Sequence, residues 1–384
     1  MEFLVKKRLL VDATLISIGG GVQVGINLIT NLIKDKDFEV VLVASPQISA
    51  QLTQSQKESC FYFIEEKNEP IWKKRVQGRR ILEIEKQYNP ELVFVVFGPS
   101  YWRPKAKTLQ GFALPLMVYP DIRNRVYKKN KFEFFYQKLL NAYKAKIMIK
   151  NSDYVVVETQ AFKDRVEKFL GFSNNNIFVV ENSFNSNFLN KKNEIKTTDN
   201  LEIFIPTAYY PHKNLEILVD VASHLLSLKK IHIVFNFLIN EDSEHWTKII
   251  SAAKIKGVES FFNTFGSVNN IQMAGLYAKT DFVLLPTLAE ASTAVYPETF
   301  ISQKVLLTSN LDFAVELCGE AAVYFDPYNA EDIAIKILEI EADKSKQKVL
   351  IQKGLEQVHK SYLTPELKWL KQKDLILKLF SESF

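Results

Sequence analysis

Short, continuous apolar runs alternate with amphipathic helical patterns along almost the whole chain. Runs of this kind indicate strands that are buried on both faces, and helices are the usual connections between parallel strands. The alternation therefore predicts an α/β fold with helices on both sides of each sheet. The strand-like runs cover residues 9–13, 39–44, 92–97, 114–119, 154–158 and 177–182, and then 201–206, 231–239, 261–265, 281–286, 304–309 and 321–325.

A polar stretch divides this pattern into two halves. Residues 182–200 are rich in Asn and Lys and show almost no periodicity, so we expect an interdomain linker there. A chain of 384 residues is also too long for one ordinary core. We predict two doubly wound, Rossmann-like domains that face each other across a cleft. They cover residues 1–185 and 200–365, and a helix at about 366–384 packs back on the first domain.

Composition narrows the class of protein. The chain is 47% hydrophobic and 24% charged with a net charge of +5, as in an ordinary folded α/β protein. Two cysteines are too few for a disulfide framework or a zinc site. The sequence has neither the pattern of a signal peptide nor an apolar run of about 18 residues, so we expect a cytoplasmic protein.

Two acidic residues follow the apolar run 281–286. Glu290 lies in the predicted loop after this run, and Glu298 lies one or two turns into the next predicted helix. Ligands of open α/β sheets bind outside the carboxyl ends of the strands. We therefore expect both carboxylates to face one polyhydroxylated ligand, a sugar or a ribose.

Two further segments are suited to binding an anion. Gly19, Gly20 and Gly21 stand between a strand and a helix, where backbone N–H groups favour an anion, although an ordinary tight turn is an equally good interpretation. Their spacing does not match the dinucleotide fingerprint, so an NAD enzyme is not expected. Lys213 precedes a predicted helix and can neutralise a diphosphate, or it is one surface lysine among many. His212 beside it is expected to be a structural neighbour.

In their order and spacing, the segments PHKN, FGSV, LYAKTDFVLLPTLAE and TSNLDFAVELCGEAAVYFDP resemble retaining glycosyltransferases of family 4, which have the GT-B fold. The resemblance runs over residues 206–340, the carboxyl-terminal domain of that fold. The segments FGPSYWRPK and GFALPLMVYP are also similar to a subgroup that builds bacterial O-antigen, lipopolysaccharide and other surface polysaccharides.

The resemblance implies a role for each matching residue. Glu298 would hold the ribose hydroxyls of the nucleotide, Glu290 would contact the donor sugar, and Lys213 would bind the diphosphate. The other donor-binding positions are Ser292, Thr293 and Ala294 at phosphate and sugar, Gly266 and Val268 at the nucleobase, and Gly20 and Gly21 at the donor phosphate. The family needs neither a metal nor another cofactor. We accordingly interpret Asp35 and Asp37 as a solvated turn rather than a Mg²⁺ site.

The sequence departs from the family at three positions. Ala208 stands where the family has an arginine that binds the diphosphate, and Thr293 stands where a glycine is usual. The histidine that many members place beside the reacting carbon is missing. Asp121 is our candidate for its catalytic role, although an exposed aspartate that caps a turn is an alternative.

The resemblance implies transfer of a sugar, with retention, from a nucleotide sugar to a glycan or lipid-linked acceptor. A non-catalytic protein of the same fold that binds a nucleotide sugar or a glycan is an alternative. An epimerase would be expected to have more acid and base residues in the cleft.

Residues 123–150 are basic and rich in aromatic residues. This segment can lie on an anionic membrane, on the inner face of the cytoplasmic membrane, or it can be a core-packed helix with a solvated lysine face. No nucleic-acid-binding signature accompanies it, so no nucleic-acid partner is expected. Its basic residues are Arg123, Arg125, Lys128, Lys129, Lys131, Lys138, Lys144, Lys146 and Lys150, against the single acid Glu133.

Overall fold

The computed structural model describes residues 6–17, 20–128, 130–189, 198–230 and 232–382. The chain forms two compact units. Unit 1 contains the described residues of 1–120, 127–180 and 366–384, and unit 2 contains those of 121–126 and 181–365. Lys129 and most of the second half of the predicted linker, residues 190–197, lie outside the described residues.

The seven described strands of unit 1 form one parallel sheet in the order β3-β2-β1-β4-β5-β6-β7. Strand β1 pairs with β2 on one side and β4 on the other, so the strand order reverses at β1. The loop after β1 leads to Gly20. The strands are β1 (Lys7–Ala13), β2 (Phe38–Ala44), β3 (Tyr62–Glu65), β4 (Leu92–Val95), β5 (Lys107–Gly111), β6 (Tyr154–Val157) and β7 (Ile177–Val179).

Helices connect these strands, and the first of them packs through one apolar face. Val22, Leu28, Ile29 and Leu32 of this helix are buried. The helices up to β7 are α1 (Gly20–Lys34), α2 (Pro46–Ser49), α3 (Gln54–Glu58), α4 (Lys74–Tyr88), α5 (Pro115–Val118), α6 (Pro120–Tyr127), α7 (Lys131–Asn151) and α8 (Gln160–Leu170).

Unit 2 has a six-stranded parallel sheet in the order β10-β9-β8-β11-β12-β13. The order reverses between β8 and β11, and this switch point is where ligands of open α/β sheets bind. The loops after these two strands carry Lys213 and Glu290. The strands are β8 (Leu201–Ile205), β9 (Ile233–Phe237), β10 (Phe262–Thr264), β11 (Phe282–Leu285), β12 (Val305–Ser309) and β13 (Ala322–Phe325).

The remaining helices begin after β8, and the last of them returns to unit 1. They are α9 (Ile217–Ser227), α10 (Glu244–Ile255), α11 (Asn270–Ala278), α12 (Val295–Ile301), α13 (Asp312–Cys318), α14 (Ala330–Ala342), α15 (Lys344–Ser361) and α16 (Pro365–Ser381). None of the helices in the described ranges is long and apolar enough to cross a membrane.

The prediction of two Rossmann-like domains with parallel sheets is confirmed. All four residues of β11 are buried, as their continuous apolar sequence predicts for a central strand covered on both faces. Alternate buried side chains of β8, β9 and β11 lie in one apolar core with buried side chains of α9 and α14.

The prediction of a strand at residues 114–119 is wrong, because this segment contains the short helix α5. Pro115 has no N–H to donate to a sheet, and it occupies the first helical turn, where that N–H would have no partner. The strand at this place in the sheet is β5, which the sequence analysis missed because its sequence, KTLQG, is polar. Gln110 is nevertheless fully buried, since its side chain donates to Asn151 O (2.7 Å) and accepts from Ser100 N (2.8 Å).

The last helix, α16, completes unit 1. Ile376 and Leu379 are buried in the same core as β1 and β2. Lys107 at the start of β5 donates to the carbonyl oxygens of Leu379 (3.0 Å) and Glu382 at the end of this helix.

Helix α16 also changes the interpretation of the acidic pair in unit 1. Asp35 and Asp37 both form ion pairs of 2.7 Å with Lys373 of α16. The solvated turn expected from the sequence is therefore a docking site for this helix.

Candidate functional site

Lys213 lies in a short 3-10 turn, Pro211–Lys213, that follows β8. Asn214 ends the turn with a left-handed backbone (φ 57°), and its side chain donates to Pro327 O at 2.8 Å. Although it is a lysine, Lys213 is buried, with only 9% of its surface exposed. Lysines are rarely buried without a partner, so the turn holds this ammonium group for a specific contact.

That contact is with Glu290. Lys213 Nζ donates to Glu290 Oε1 at 2.5 Å, and Glu290 is 5% exposed. The loops that carry them are also joined through the backbone, since His212 O accepts from Leu288 N at 2.8 Å. The structure thus brings two of the predicted site residues, 77 positions apart, into one buried ion pair at the carboxyl ends of β8 and β11.

Glu298 lies in the first turn of α12 and is half-buried. Burial raises the pKa of its carboxyl group from 4.5 to about 8, although the neighbouring Tyr277 hydroxyl acts in the opposite direction. Tyr277 is itself fully buried, and Phe188 and Phe204 both pack edge-on against it at 5.2 Å. At neutral pH most of the Glu298 carboxyl groups are therefore protonated, and can both donate and accept a hydrogen bond.

The loop between the two glutamates contains the three small residues predicted to meet phosphate and sugar. Thr293 Oγ1 accepts from Val295 N at 3.3 Å, at the start of α12, and Ala294 is the residue before this helix. Ser292 Oγ is buried, with no hydrogen-bond partner among the described residues. A buried hydroxyl in this situation has hydrogen-bonding capacity available for a ligand.

His212 differs from an ordinary structural neighbour in the hydrogen bonding of its ring. Its ring stacks on Tyr210 with 5.7 Å between centroids, and its Nδ1 atom is buried without a partner among the described residues. Burial lowers the pKa of this imidazole to about 4, with Glu290 opposing that shift and Lys213 adding to it. The sequence alone indicates no function for His212, and its position next to Lys213 is its only signal there.

Gly266 and Val268 follow β10, at the same edge of the sheet as the Lys213 turn. Gly266 has a left-handed backbone (φ 66°), and no atom lies within 4 Å of the position that a Cβ would occupy. Its N–H donates to Thr264 Oγ1 at 3.1 Å. Val268 is half-buried and precedes α11. Open space above Gly266 leaves the backbone there accessible.

Three predicted residues lie elsewhere. Gly20 and Gly21 begin α1 in unit 1, and Gly19 lies outside the described residues. Asp121 is exposed in the first turn of α6, one helical turn before Arg125. The Arg125 guanidinium lies 3.7 Å from the ring centroid of Tyr328. Burial raises the pKa of Tyr328, and the charge of Asp121 acts in the same direction, so Asp121 lies near this tyrosine.

Among the described residues, no group of three or more His, Cys, Asp or Glu side chains is placed to hold a metal ion. Independence from metal stays a prediction.

The residues of this site lie in a part of the chain that matches a known protein family. Residues 185–357 match the model of the family described as glycosyl transferases group 1. The match includes Lys213, Glu290 and Glu298, and it confirms the glycosyltransferase resemblance of the sequence motifs. Assignment to family 4 and retention of configuration stay predictions. Comparison with curated proteins gave no match.

Several solved structures share the fold over nearly the whole chain. A glycosyltransferase from Rickettsia africae is 17% identical, with a TM-score of 0.72 over 98% of this chain and 100% of that one. HepE from Anabaena, solved with UDP and glucose, is 13% identical, with a TM-score of 0.71 over 97% and 100%. WaaG, a glycosyltransferase involved in lipopolysaccharide biosynthesis, is 12% identical, with a TM-score of 0.72 over 96% and 99%. At these identities the similarity concerns the fold, and it supports the GT-B architecture predicted from the sequence.

Proposed function

We propose that this protein is a retaining glycosyltransferase. It transfers a sugar from a nucleoside diphosphate sugar to a glycan or lipid-linked acceptor, in the synthesis of a bacterial surface polysaccharide such as O-antigen or lipopolysaccharide. The observation that carries the proposal is the buried pair of Lys213 and Glu290 at the switch point of the sheet, inside the part of the chain that matches the glycosyltransferase family.

The pair combines the two kinds of group that such a donor needs. Lys213 binds the diphosphate and stabilises the charge that develops as the nucleotide leaves. Glu290 accepts hydrogen bonds from the hydroxyls of the donor sugar, and charge-assisted hydrogen bonds of this kind are the stronger ones. The free hydroxyl of Ser292 and the backbone of Thr293 and Ala294 supply further donors to the phosphate and the sugar.

Glu298 binds the ribose of the nucleotide. Its ionised form accepts a hydrogen bond from each of two neighbouring hydroxyls, whereas its protonated form accepts only in part. Because its pKa is about 8 without ligand, nucleotide binding at neutral pH releases a proton. Gly266 and Val268 lie beside the nucleobase, and Gly20 and Gly21 close on the donor phosphate.

The reaction proceeds on one face of the sugar. The acceptor oxygen forms a bond to the anomeric carbon on the side from which the diphosphate leaves, so the configuration is retained. The bond between that carbon and the phosphate oxygen breaks, and a phosphate oxygen takes the acceptor proton. Asp121 assists at the reacting centre, and neither a metal nor another cofactor takes part.

A panel of nucleotide sugars tests this proposal. A donor at about 100 times its dissociation constant should stabilise the protein by roughly 2.7 kcal/mol, which identifies the donor as a shift in melting temperature. Glu298→Gln should weaken nucleotide binding by about 1.5–3 kcal/mol. The matched control is Glu320→Gln, because 85% of the Glu320 side chain is exposed. Equal nucleotide affinity of both variants and the wild type would disprove the ribose role.

A binding protein without turnover is the second candidate, and one feature favours it. Ala208 is exposed in the loop after β8, where the resembling family has an arginine for the diphosphate. Slow release of free nucleoside diphosphate from the identified donor would support the enzyme. Tight donor binding without any release, with or without acceptor, would support the binding protein.

We also propose peripheral contact with a membrane through residues 123–150, where a lipid-linked acceptor would be found. Helix α7 supplies the contact, since Phe132 and Phe135 are 81% and 60% exposed. Apolar side chains with this exposure, interleaved with lysines, suit an anionic bilayer surface.

A further inference from the structure

Trp72 is the most exposed tryptophan of the described residues, with 77% of its surface accessible. It lies in the 3-10 turn Ile71–Lys73 that leads into α4 of unit 1. Ile71 and Val76 beside it are also exposed, at 40% and 49%. Large apolar side chains grouped on a surface usually mark a contact with a partner or a membrane.

The same segment is strongly basic. Arg80 forms ion pairs with Glu66 (2.8 Å) and Glu69 (3.6 Å). Three further basic residues are exposed and form no ion pair within the described part of the chain. They are Lys73, Arg75 and Arg79. The stretch that follows the exposed tryptophan therefore carries three exposed positive charges without an ion pair among the described residues.

A chain of ring contacts joins this segment to α7. Lys74 Nζ lies 5.5 Å from the ring centroid of Tyr101, and that ring lies 6.4 Å from the ring of Tyr143 on α7. The exposed apolar residues of α7 up to Tyr143 recur at intervals of three and four, which places them on one helix face. They are Phe132 (81%), Phe135 (60%), Tyr136 (46%), Leu139 (56%) and Tyr143 (48%).

We propose that the segment 71–79 and this face of α7 form one membrane-binding surface, in which Trp72 inserts at the headgroup level of an anionic bilayer. The inference rests on the proposed membrane contact of residues 123–150, and it adds a second segment and a defined anchor. Tryptophan is enriched at membrane interfaces, where its ring is apolar and its N–H can still be solvated.

The composition of the surface favours a bilayer over a protein partner. Protein interfaces are depleted in lysine, and their cores lack charge. Here exposed lysines are interleaved with the aromatic side chains along α7, including Lys131, Lys138 and Lys146. Basic residues with aromatic anchors are instead the composition of segments that lie on anionic membranes.

Tryptophan fluorescence of the full-length protein tests the proposal. Vesicles of phosphatidylcholine with phosphatidylglycerol should bind the protein, and brominated lipids in them should quench its fluorescence. Trp102 and Trp246 are buried and Trp369 is half-buried, so the quenching should arise from Trp72. Trp72→Phe should keep vesicle binding and lose most of the quenching. Trp72→Ala should bind these vesicles about tenfold more weakly.

The matched control is Ile255→Ala, which removes an 87% exposed apolar side chain from unit 2 and should not alter vesicle binding. Equal quenching in the wild type and Trp72→Phe, or equal vesicle affinity of Trp72→Ala and the wild type, would overturn the proposal. So would equal binding to pure phosphatidylcholine vesicles. Failure to bind any nucleotide sugar would refute the glycosyltransferase proposal and leave the vesicle result unaffected.

Discussion

Ionisation of the Glu298 carboxyl group should lower the free energy of unfolding of unit 2 as the pH rises. Its pKa of about 8 lies above the ordinary value of 4.5, so the native state binds this proton more tightly than the unfolded state does. The stabilisation is complete below pH 4.5 and is lost as the pH rises through 8. A pKa difference of about 3.5 corresponds to ~5 kcal/mol in total, of which about 3–4 kcal/mol is lost between pH 5 and 8.

Glu298→Gln removes this ionisation and keeps the shape of the side chain. The variant should therefore lose less stability than the wild type between pH 5 and 8, by about 3–4 kcal/mol. Amide hydrogen exchange of strands β11 and β12 measures the opening free energy of unit 2 separately, which avoids treating a chain of two units as two-state.

The control for this experiment is Glu320→Gln. Lys353 holds the pKa of the exposed Glu320 carboxyl below its ordinary value, so ionisation of Glu320 changes stability in the opposite direction to that of Glu298. This variant should follow the wild type across the same pH range. If the curves of Glu298→Gln and the wild type run parallel, the pKa of Glu298 is not raised and the argument from its burial is refuted.

Three further predictions concern single side chains. Lys213→Met should destabilise unit 2 by about 3–5 kcal/mol because Glu290 is left buried and unpaired. Adding Glu290→Leu should restore part of that loss in a double-mutant cycle measured by the same hydrogen exchange of unit 2. If the Nδ1 atom of His212 binds the donor, His212→Asn should keep nucleotide-sugar affinity, and His212→Gln should weaken it about fivefold in calorimetry, because the asparagine amide lies nearer that position. Gly111→Ala should lower the melting temperature, since its Cβ would collide with a backbone oxygen, whereas Gly20→Ala, with open space around it, should not.

The strands could be predicted from the sequence where they are continuous apolar runs that the fold buries. The apolar runs of β8 and β11 are typical of such strands, and their prediction is confirmed. Strand β5 could not be predicted, because the partners that make its buried Gln110 acceptable lie 10 and 41 residues away. Residues 114–119 were predicted wrongly because their apolar character was given more weight than Pro115.

The sequence suggested residues for the site, and their roles stay predictions, but it could not show the contacts between them. Lys213 and Glu290 follow different strands, so only the strand order shows that they meet. The raised pKa of Glu298 depends on its surroundings in the folded unit, which one sequence does not define. His212 was set aside because nothing in the sequence shows that one ring nitrogen is buried without a partner.

The docking of α16 determines the order in which the protein can be completed during synthesis. Unit 1 begins at the amino terminus, yet its core contains Ile376 and Leu379, and Lys107 finds its carbonyl partners only at the end of this helix. When the last residues of unit 2 have left the ribosome, α16 has still to emerge, and the core of unit 1 is incomplete without it. Unit 1, whose first strands are translated first, therefore completes its core last. Removal of α16 destabilises unit 1 although this helix follows unit 2 in the chain.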